Sequence, residues 1–339
     1  MATDSADALD RRSMAKAVVG FTIAIVLLYF LGSAVGWGDI LDALARADLR
    51  WVAIACLSTC GYLLAWTKTW QVVLDAGGIS IPYRELVPTY LAATFANYTT
   101  PFGQAGGEPF IAYVLSADTH ASYEESLASV STADLLNLLP FFTFAGVGLA
   151  ALAITGTVPP GARSILVGLA AIAIGVPALV YGAWRRRDLV ENILTTLARP
   201  VTKRTDRIAM ARVEARIDSF YDQLARIADE PRDLLVGLVY SYLGWVFFAA
   251  PLYFAALALG LPVDPLLVAF LVPASSLAGF VPTPGGLGGV STALVALVVA
   301  LTPVGAGPAA ALALLYRATS YVFALAVCGP TALYVTARA

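Results

Sequence analysis

Charged side chains are what this chain lacks. They make up 13% of its 339 residues, against 59% hydrophobic. A water-soluble domain carries about 25% charged residues, and half that share cannot cover a globule of this size. A cytosolic enzyme, a disordered chain and a secreted disulfide scaffold are therefore excluded. Histidine is almost absent: His120, beside Asp118 and Thr119 in a polar loop, is the only one. A single histidine cannot build a zinc site or a Ser/His/Asp triad. Three cysteines cannot make a disulfide framework. Cys56, Cys60 and Cys328 read as small buried apolar residues rather than a redox or metal pair. The net charge of −2 gives no basic bias toward nucleic acid. No Walker lysine follows either glycine-rich stretch, which excludes a nucleotide loop. No cofactor, no metal and no catalytic residue is expected, and the chain does not read as an enzyme.

What the chain has is long uncharged runs. Residues 17–38, 135–162, 164–184, 234–263, 265–316 and 318–337 contain no Asp, Glu, Lys or Arg. About 20 apolar residues suffice for a helix to cross the ~30 Å hydrocarbon core, so the fold is an all-α polytopic membrane protein. Uninterrupted spans are expected at 15–35, 51–74, 128–155, 164–184, 234–260 and 309–336. Asp10-Arg11-Arg12 ahead of the first run resembles a twin-arginine signal, but an uncleaved first span is the preferred reading. Two further apolar regions, 86–115 and 265–302, are each broken by a Pro/Gly cluster, Thr99–Gly107 and Pro282–Gly289. Neither helix can run through such a cluster. Irregular backbone at membrane depth survives only where protein or a water-filled cavity satisfies it.

Basic residues choose the topology. Eleven of the 21 Lys and Arg fall in 185–232, and Arg11, Arg12 and Lys16 lie at the N-terminus. Both segments should be cytoplasmic by the positive-inside rule, as should the C-terminus. Four clean spans separate them, so 86–115 must return to the side it entered, as a re-entrant hairpin. Region 265–302 is expected to be a second hairpin from the opposite side, although it is long enough for two full crossings. A shift of 183 residues superimposes the breaks without gaps: Thr100-Pro101 falls on Thr283-Pro284, Gly103 on Gly286, Gly106 on Gly289, Glu108 on Ser291, and Asp134 on Arg317. The paired elements cross in opposite directions, which predicts two inverted-topology repeats.

The chain then divides into a cytoplasmic tail, 1–14, a first membrane repeat, 15–184, a cytoplasmic insert, 185–232, and a second repeat, 233–339. The span 164–184 can also open the second repeat. Within the insert Met210, Val213, Ile217, Phe220, Leu224 and Ile227 follow 3-4-3-4-3 spacing. That predicts an amphipathic helix against the bilayer surface or the bundle, in preference to a partner-binding coiled coil.

A charge at the middle of a membrane helix costs about 2.5–3.5 kcal/mol on insertion scales. Lys68, Glu108, Asp134 and Arg317 each need a reason, and Asn97 and Asn137 are uncharged companions. Lys68, beside Trp66 and Trp70, is close enough to a helix end to snorkel. Glu108 precedes Pro109 at the start of a short helix. The equivalent helix near Gly289 carries Ser291 and Thr292 in its first turn. Its free N–H groups, two hydroxyls and lack of an acid make an anion site, which Arg317 on the next span can approach. The structural alternative pairs Arg317 with Asp134 or Glu108 and leaves the glycines to close helix packing. The remaining aromatics are expected to face lipid or the interface.

Thr100-Pro101 through Gly106-Gly107-Glu108-Pro109-Phe110-Ile111-Ala112-Tyr113, Pro282 through Gly288, and Tyr316-Arg317 before Ser320-Tyr321 resemble a known family. It is the flippase-like integral membrane family, UPF0104, typified by the transmembrane region of lysylphosphatidylglycerol synthase. The resemblance spans roughly 15–336 and is closest to the archaeal branch. It implies movement of a lipid headgroup across the bilayer, or support of a lipid-modifying enzyme. Gly106, Gly107, Glu108, Pro284, Gly285, Gly286 and Arg317 match recurring positions. The chain departs from the pattern at Ile111, where a basic residue is usual, and at Ser291, where an acid is usual; Asp134 and Asn137 stand for an Arg and an Asp. It lacks the aminoacyl-transfer and glycosyltransferase domains of larger members, so it is not expected to make aminoacylated lipid. The expected site comprises Asn97, Thr100, Gly106, Gly107, Glu108, Asp134, Asn137, Thr283, Pro284, Gly285, Gly286, Ser291 and Arg317 around an anionic lipid headgroup, with alternating access by rocking of the two halves. The alternative function is a non-transporting partner that docks a glycosyltransferase or lipid-modifying enzyme through the insert; a membrane enzyme acting on a lipid phosphate is the weakest reading, since one acid per half and no metal ligands give it little chemistry.

Overall fold

A computed structural model describes residues 37–99, 111–116, 121–155, 210–280, 284–286 and 288–336, with isolated positions between 171 and 186. The expected span 15–35, and most of 164–184 and of the first break, lie outside the described residues. Every regular element among the described residues is helical. In chain order these are α1 (Trp37–Ala45), α2 (Leu49–Ala76), α3 (Tyr83–Thr99), α4 (Tyr123–Leu136), α5 (Leu138–Thr155), α6 (Met210–Ala228), α7 (Pro231–Ala258), α8 (Pro265–Ser276), α9 (Gly289–Leu301), α10 (Ala306–Arg317) and α11 (Phe323–Thr336).

Local chemistry sets the boundaries. The Asp48 carboxylate accepts from Arg50 N to open α2, and Asp264 accepts from Leu266 N to open α8. Both are acceptors for helix N–H groups that have no intrahelical partner. Ser122 and Glu125 form a reciprocal capping box at α4. Pro231 and Pro265 begin α7 and α8, where a missing N–H costs nothing.

Four stretches are long and apolar enough to cross a membrane: Leu49–Ala76, Tyr123–Leu152, Pro231–Ala258 and Ala306–Val335. They match the expected spans at 51–74, 128–155, 234–260 and 309–336, so the chain is a multi-pass membrane protein. Two of them are not uninterrupted. At Asn137 the α4–α5 stretch breaks, because Pro140 has no N–H for the carbonyl four residues earlier. Between α10 and α11 a π-helical turn, Ala318–Val322, intervenes, with Phe323 N–H reaching back five residues to Ala318 O. Region 265–302 holds two short apolar helices, α8 of 12 residues and α9 of 13. At about 1.5 Å per residue each covers ~20 Å, well short of the hydrocarbon thickness.

The largest helix contact is between α2 and α7. They run antiparallel: Trp51 stacks on Phe254, Ser58 Oγ donates to Phe247 O at 2.8 Å, and Thr69 Oγ1 reaches Gly237 O. Gly61 and Gly244 let them approach closely. A Cβ on Gly61 would stand 2.8 Å from the Phe247 ring, and one on Gly244 would overlap the Trp66 indole. Around this crossing Tyr62, Trp66, Trp245 and Phe248 form edge-on and tilted ring contacts. Tyr62 and Trp245 are buried in the bundle and Phe248 packs partly buried against its core, whereas most aromatics outside the Lys68 neighbourhood are expected at the lipid face or interface. Trp66 and Phe248 join the two apolar cores, one among α7–α10 and one among α2, α3, α4 and α11.

The flanking helices pack crosswise. Helix α3 lies against α11, α5 against α8, α6 against α4, and α1 against α10. Helix α6 follows the expected amphipathic pattern from Ile217 onward; the side chains of Met210 and Val213 lie outside the described residues. It docks on the bundle: Ile227 is buried, Gln223 Nε2 donates to Gly77 O at 2.9 Å and to Ser129 Oγ at 3.2 Å, and Arg216 pairs with Glu124 at 3.1 Å.

The glycine crossing yields a stability prediction. Gly244→Val overpacks the site and should cost about 1–3 kcal/mol, read as a lower thermal midpoint in detergent. Gly146→Ala, at a position with open space around it, should be neutral or stabilising by up to about 1 kcal/mol.

Candidate functional site

The C-terminal end of α10 places Arg317 against the second Pro/Gly break. Its Nη2 donates to Gly285 O at 2.6 Å, and the guanidinium lies 4.5 Å from the centre of the Tyr321 ring. An arginine fits here because its planar fork stacks on an aromatic face while still donating in its own plane. The Tyr321 hydroxyl donates to Tyr98 O at 3.0 Å, the two rings lie 5.2 Å apart, and the Tyr98 hydroxyl is 3.1 Å from that of Tyr62. Tyr98 is near the end of α3, the helix that leads into the first break. One cation thus touches the loop of the second break and, through one tyrosine, the helix entering the first.

The loop is built by glycine for steric and conformational reasons. Gly285 has φ 55° and ψ 24°, and a Cβ there would overlap the Tyr321 ring. Gly286, at φ 64°, faces the Cα of Gly279 and the Val290 side chain, where a Cβ would be 3.0 and 2.8 Å from them. Helix α9 begins at Gly289, as the motif predicts. Ser291 in its first turn is fully buried, and its Oγ has no hydrogen-bond partner among the described residues. Asn97 Oδ1 and Arg317 Nε are likewise buried polar atoms without a partner among the described residues. Unpaired groups of this kind cost free energy in a structure that otherwise satisfies its polar atoms.

Among the expected site residues, Arg317, Gly285 and the adjoining Pro284 and Gly286 come together, with Asn97 next to Tyr98. Ser291 follows Val290, which packs on Gly286. Asn137 is elsewhere. Its Oδ1 accepts a short hydrogen bond from Ser241 and its carbonyl accepts Trp245 Nε1 at 3.1 Å, so it fastens the α4–α5 break to α7. Asp134, one turn earlier, bears electrostatically on Tyr90. Glu108, Thr100, Gly106, Gly107 and Thr283 lie outside the described residues. Lys68 donates to Gln71 Oε1 at 2.7 Å and faces the Tyr83 ring. Sequence reasoning missed Tyr62 and Tyr98, and quoted Tyr321 in the family motif without giving it a role. The one available signal was the position of Tyr321 four residues after Arg317.

The sequence profile of the lysylphosphatidylglycerol synthase transmembrane region matches residues 17–328. This chain belongs to that family. A UPF0104 membrane protein of Methanothermobacter thermautotrophicus is 31% identical over 285 residues, covering 81% of this chain and 82% of the relative. The UPF0104 membrane protein PH1989 of Pyrococcus horikoshii is 24% identical, covering 80% of this chain and 82% of its own length. Glycosyltransferase AglD of Haloferax volcanii is 26% identical over 324 residues, which cover 87% of this chain and 50% of AglD. The family assignment agrees with the motifs that carry Arg317 and Gly285.

The shared volume of Gly285 and Tyr321 can be measured. Gly285→Ala should destabilise through both the left-handed backbone, about 1–2 kcal/mol, and the ring overlap. In a Tyr321→Ala background only the backbone contribution remains. A double-mutant cycle on thermal unfolding should therefore show a coupling of about 1 kcal/mol or more; additive effects would mean that the ring does not occupy that space in the folded protein.

Proposed function

We propose that this protein binds and translocates an anionic phospho- or glycolipid headgroup in a cavity between two broken-helix hairpins. The observation that carries the reading is Arg317, a cation in an apolar span that touches the loop of the second break and, through Tyr321, the helix that leads into the first, and whose Nε has no partner among the described residues. A charge at this depth is costly and is a functional-site hypothesis by default. Ser291 Oγ and the first turn of α9 supply donors for a phosphate oxygen. Glu108, which the 183-residue shift pairs with Ser291, is the acid the reading assigns to the headgroup.

The packing supports two inverted repeats. Adding 183 to the residue numbers carries α2 onto α7, α3 onto α8 and the turn after it, α4 onto α10, and α5 onto α11. The contact of α3 with α11 then becomes that of α8 with α5, and the contact of α1 with α10 becomes that of α6 with α4. Gly61 maps onto Gly244, and the two antiparallel helices cross at that pair. An axis through the crossing, in the plane of the membrane, would exchange the halves. The lengths of α8 and α9 favour a re-entrant hairpin over two crossings. The division at 185–232, with that insert and both termini cytoplasmic, follows from the charge distribution.

Arg317→Ala and Glu108→Ala should each reduce headgroup translocation in proteoliposomes at least about tenfold while elution and helical content stay unchanged. A loss of about 1.4 kcal/mol in transition-state stabilisation corresponds to that factor. Wild-type translocation in both variants would end the proposal.

A second reading rests on the relative named as a glycosyltransferase, in which a region like this chain makes up about half the protein. Here the chain would serve a separate glycosyltransferase or lipid-modifying enzyme as its membrane partner, docked through the insert. Its mark would be an enzyme that co-purifies with the intact chain and is lost when residues 185–232 are removed.

A further inference from the structure

The two sequence halves are too interlocked to be the moving bodies. Their central helices, α2 and α7, make the largest interface in the molecule, closed by glycine-against-aromatic contacts. Tightly packed interfaces of this kind shift between discrete arrangements rather than deform continuously. The crosswise packing points to a different division. Helix α11 packs chiefly on α3, and α5 chiefly on α8, whereas α10 packs on α9, α1 and α7, and α4 on α6 and α2. Each long span therefore changes allegiance halfway along. Its first half packs on a central helix together with α9 and α1, or with α6, and its second half on the helix that leads into the break of the other half of the chain.

The change of allegiance falls at the two backbone irregularities. One is the break at Asn137, the other the π-helical turn Ala318–Val322. Helix kinks arise at such proline-associated breaks and π-bulges. Each is held by a side chain from the central helix of the opposite half. Trp245 Nε1 on α7 donates to Asn137 O, and Thr59 Oγ1 on α2 donates to Thr319 O at 2.9 Å. Buried backbone carbonyls need a donor. At these two places a side chain that reaches across the joint donates to one, in addition to the Phe141 N–H that Asn137 O accepts at 3.3 Å. The Arg317–Tyr321 stack also spans the second joint, from the last residue of α10 into the π-helical turn.

We infer that conformational change in this protein moves two exchanged pairs, α3 with α11 and α5 with α8, about hinges at Asn137 and Ala318–Val322, against a frame formed by α2 and α7. Thr59, Arg317 and Tyr321 latch one hinge, and Trp245 and Ser241 latch the other. Tyr321 has a double position in this scheme. Its hydroxyl holds Tyr98 O on the moving α3, and its ring rests on Gly285 and on the guanidinium of Arg317. Displacing α11 relative to α10 takes the ring off both.

The inference does not depend on lipid translocation and is tested without it. Spin labels are placed on the full chain, with Cys56, Cys60 and Cys328 replaced by alanine, at exposed positions. One pair lies within a moving body, Leu333→Cys on α11 with Glu85→Cys on α3. The other crosses the hinge, Leu333→Cys with Leu235→Cys on α7. Double electron–electron resonance in nanodiscs then reads both distances in the parent and in Thr59→Val and Tyr321→Phe, each of which removes one latch hydroxyl and keeps the packing volume. The expected result is a broadened or shifted distribution for the pair across the hinge, on the order of 5 Å, with the pair inside the body unchanged. Equal changes in both pairs, or no change in either variant, would overturn the inference. A protein that never moves a lipid headgroup would still give a decisive answer.

Discussion

Everything in this structure hangs on the approach of two antiparallel helices at a pair of glycines. In a bilayer, apolar side chains gain little by leaving lipid for protein, so helix association rests on close packing and on hydrogen bonds between helices. Gly61 and Gly244 provide the first. Ser58, Trp66 and Thr69 provide the second, each donating to a backbone carbonyl of α7. Large rings fill the space around the glycines, and the flanking helices build outward from that seam. Were α2 and α7 held apart by side chains, Trp245 and Thr59 would no longer reach the two interrupted spans.

Membrane character, the long helices and the second break were legible in the sequence, because each follows from one local property. Scarcity of charge fixes the solvent, run length fixes the spans, and Pro/Gly density fixes the place where a helix stops at Ser276 and restarts at Gly289. The helical amphipathic insert was legible for the same reason. Its docking was not, since 3-4-3-4-3 spacing shows which face is apolar but not what covers it. The structure places Gln223 against Gly77 O and Ser129, a long-range pairing with no local trace.

The interruptions inside 128–155 and 309–336 were harder to see. Pro140 is a visible helix breaker, but it lies near the middle of a long apolar run, and membrane helices tolerate proline. The π-helical turn at Ala318–Val322 has no composition of its own. The site shows the same limit. Arg317 stood out because a cation in an apolar run is costly, and Gly285 because it sits in a glycine cluster. Asn137 stood out for its polarity but fastens one helix to another, as polar residues in membrane bundles commonly do. Tyr62 and Tyr98 were overlooked, and Tyr321 was given no role, because Tyr is ordinary at membrane interfaces. Only a three-dimensional arrangement shows that Tyr62, Tyr98 and Tyr321 point inward.

The lengths of the helices carry a consequence for the surrounding lipid. Helices α2 and α7, at 28 residues each, run about 42 Å and overshoot a hydrocarbon layer of ~30 Å. Their ends, with Asp48 and Asp75 on one and Asp233 on the other, stay in the headgroup region even if the bilayer thickens by several ångströms or the helices tilt. Helices α8 and α9 have no such reserve. At ~20 Å each is shorter than the hydrocarbon layer is thick, and Gly285 and Gly286 take their position from the protein packed around them. A thicker or thinner bilayer would change how far α2 and α7 protrude while leaving Arg317 and Gly285 at the same distance from each other.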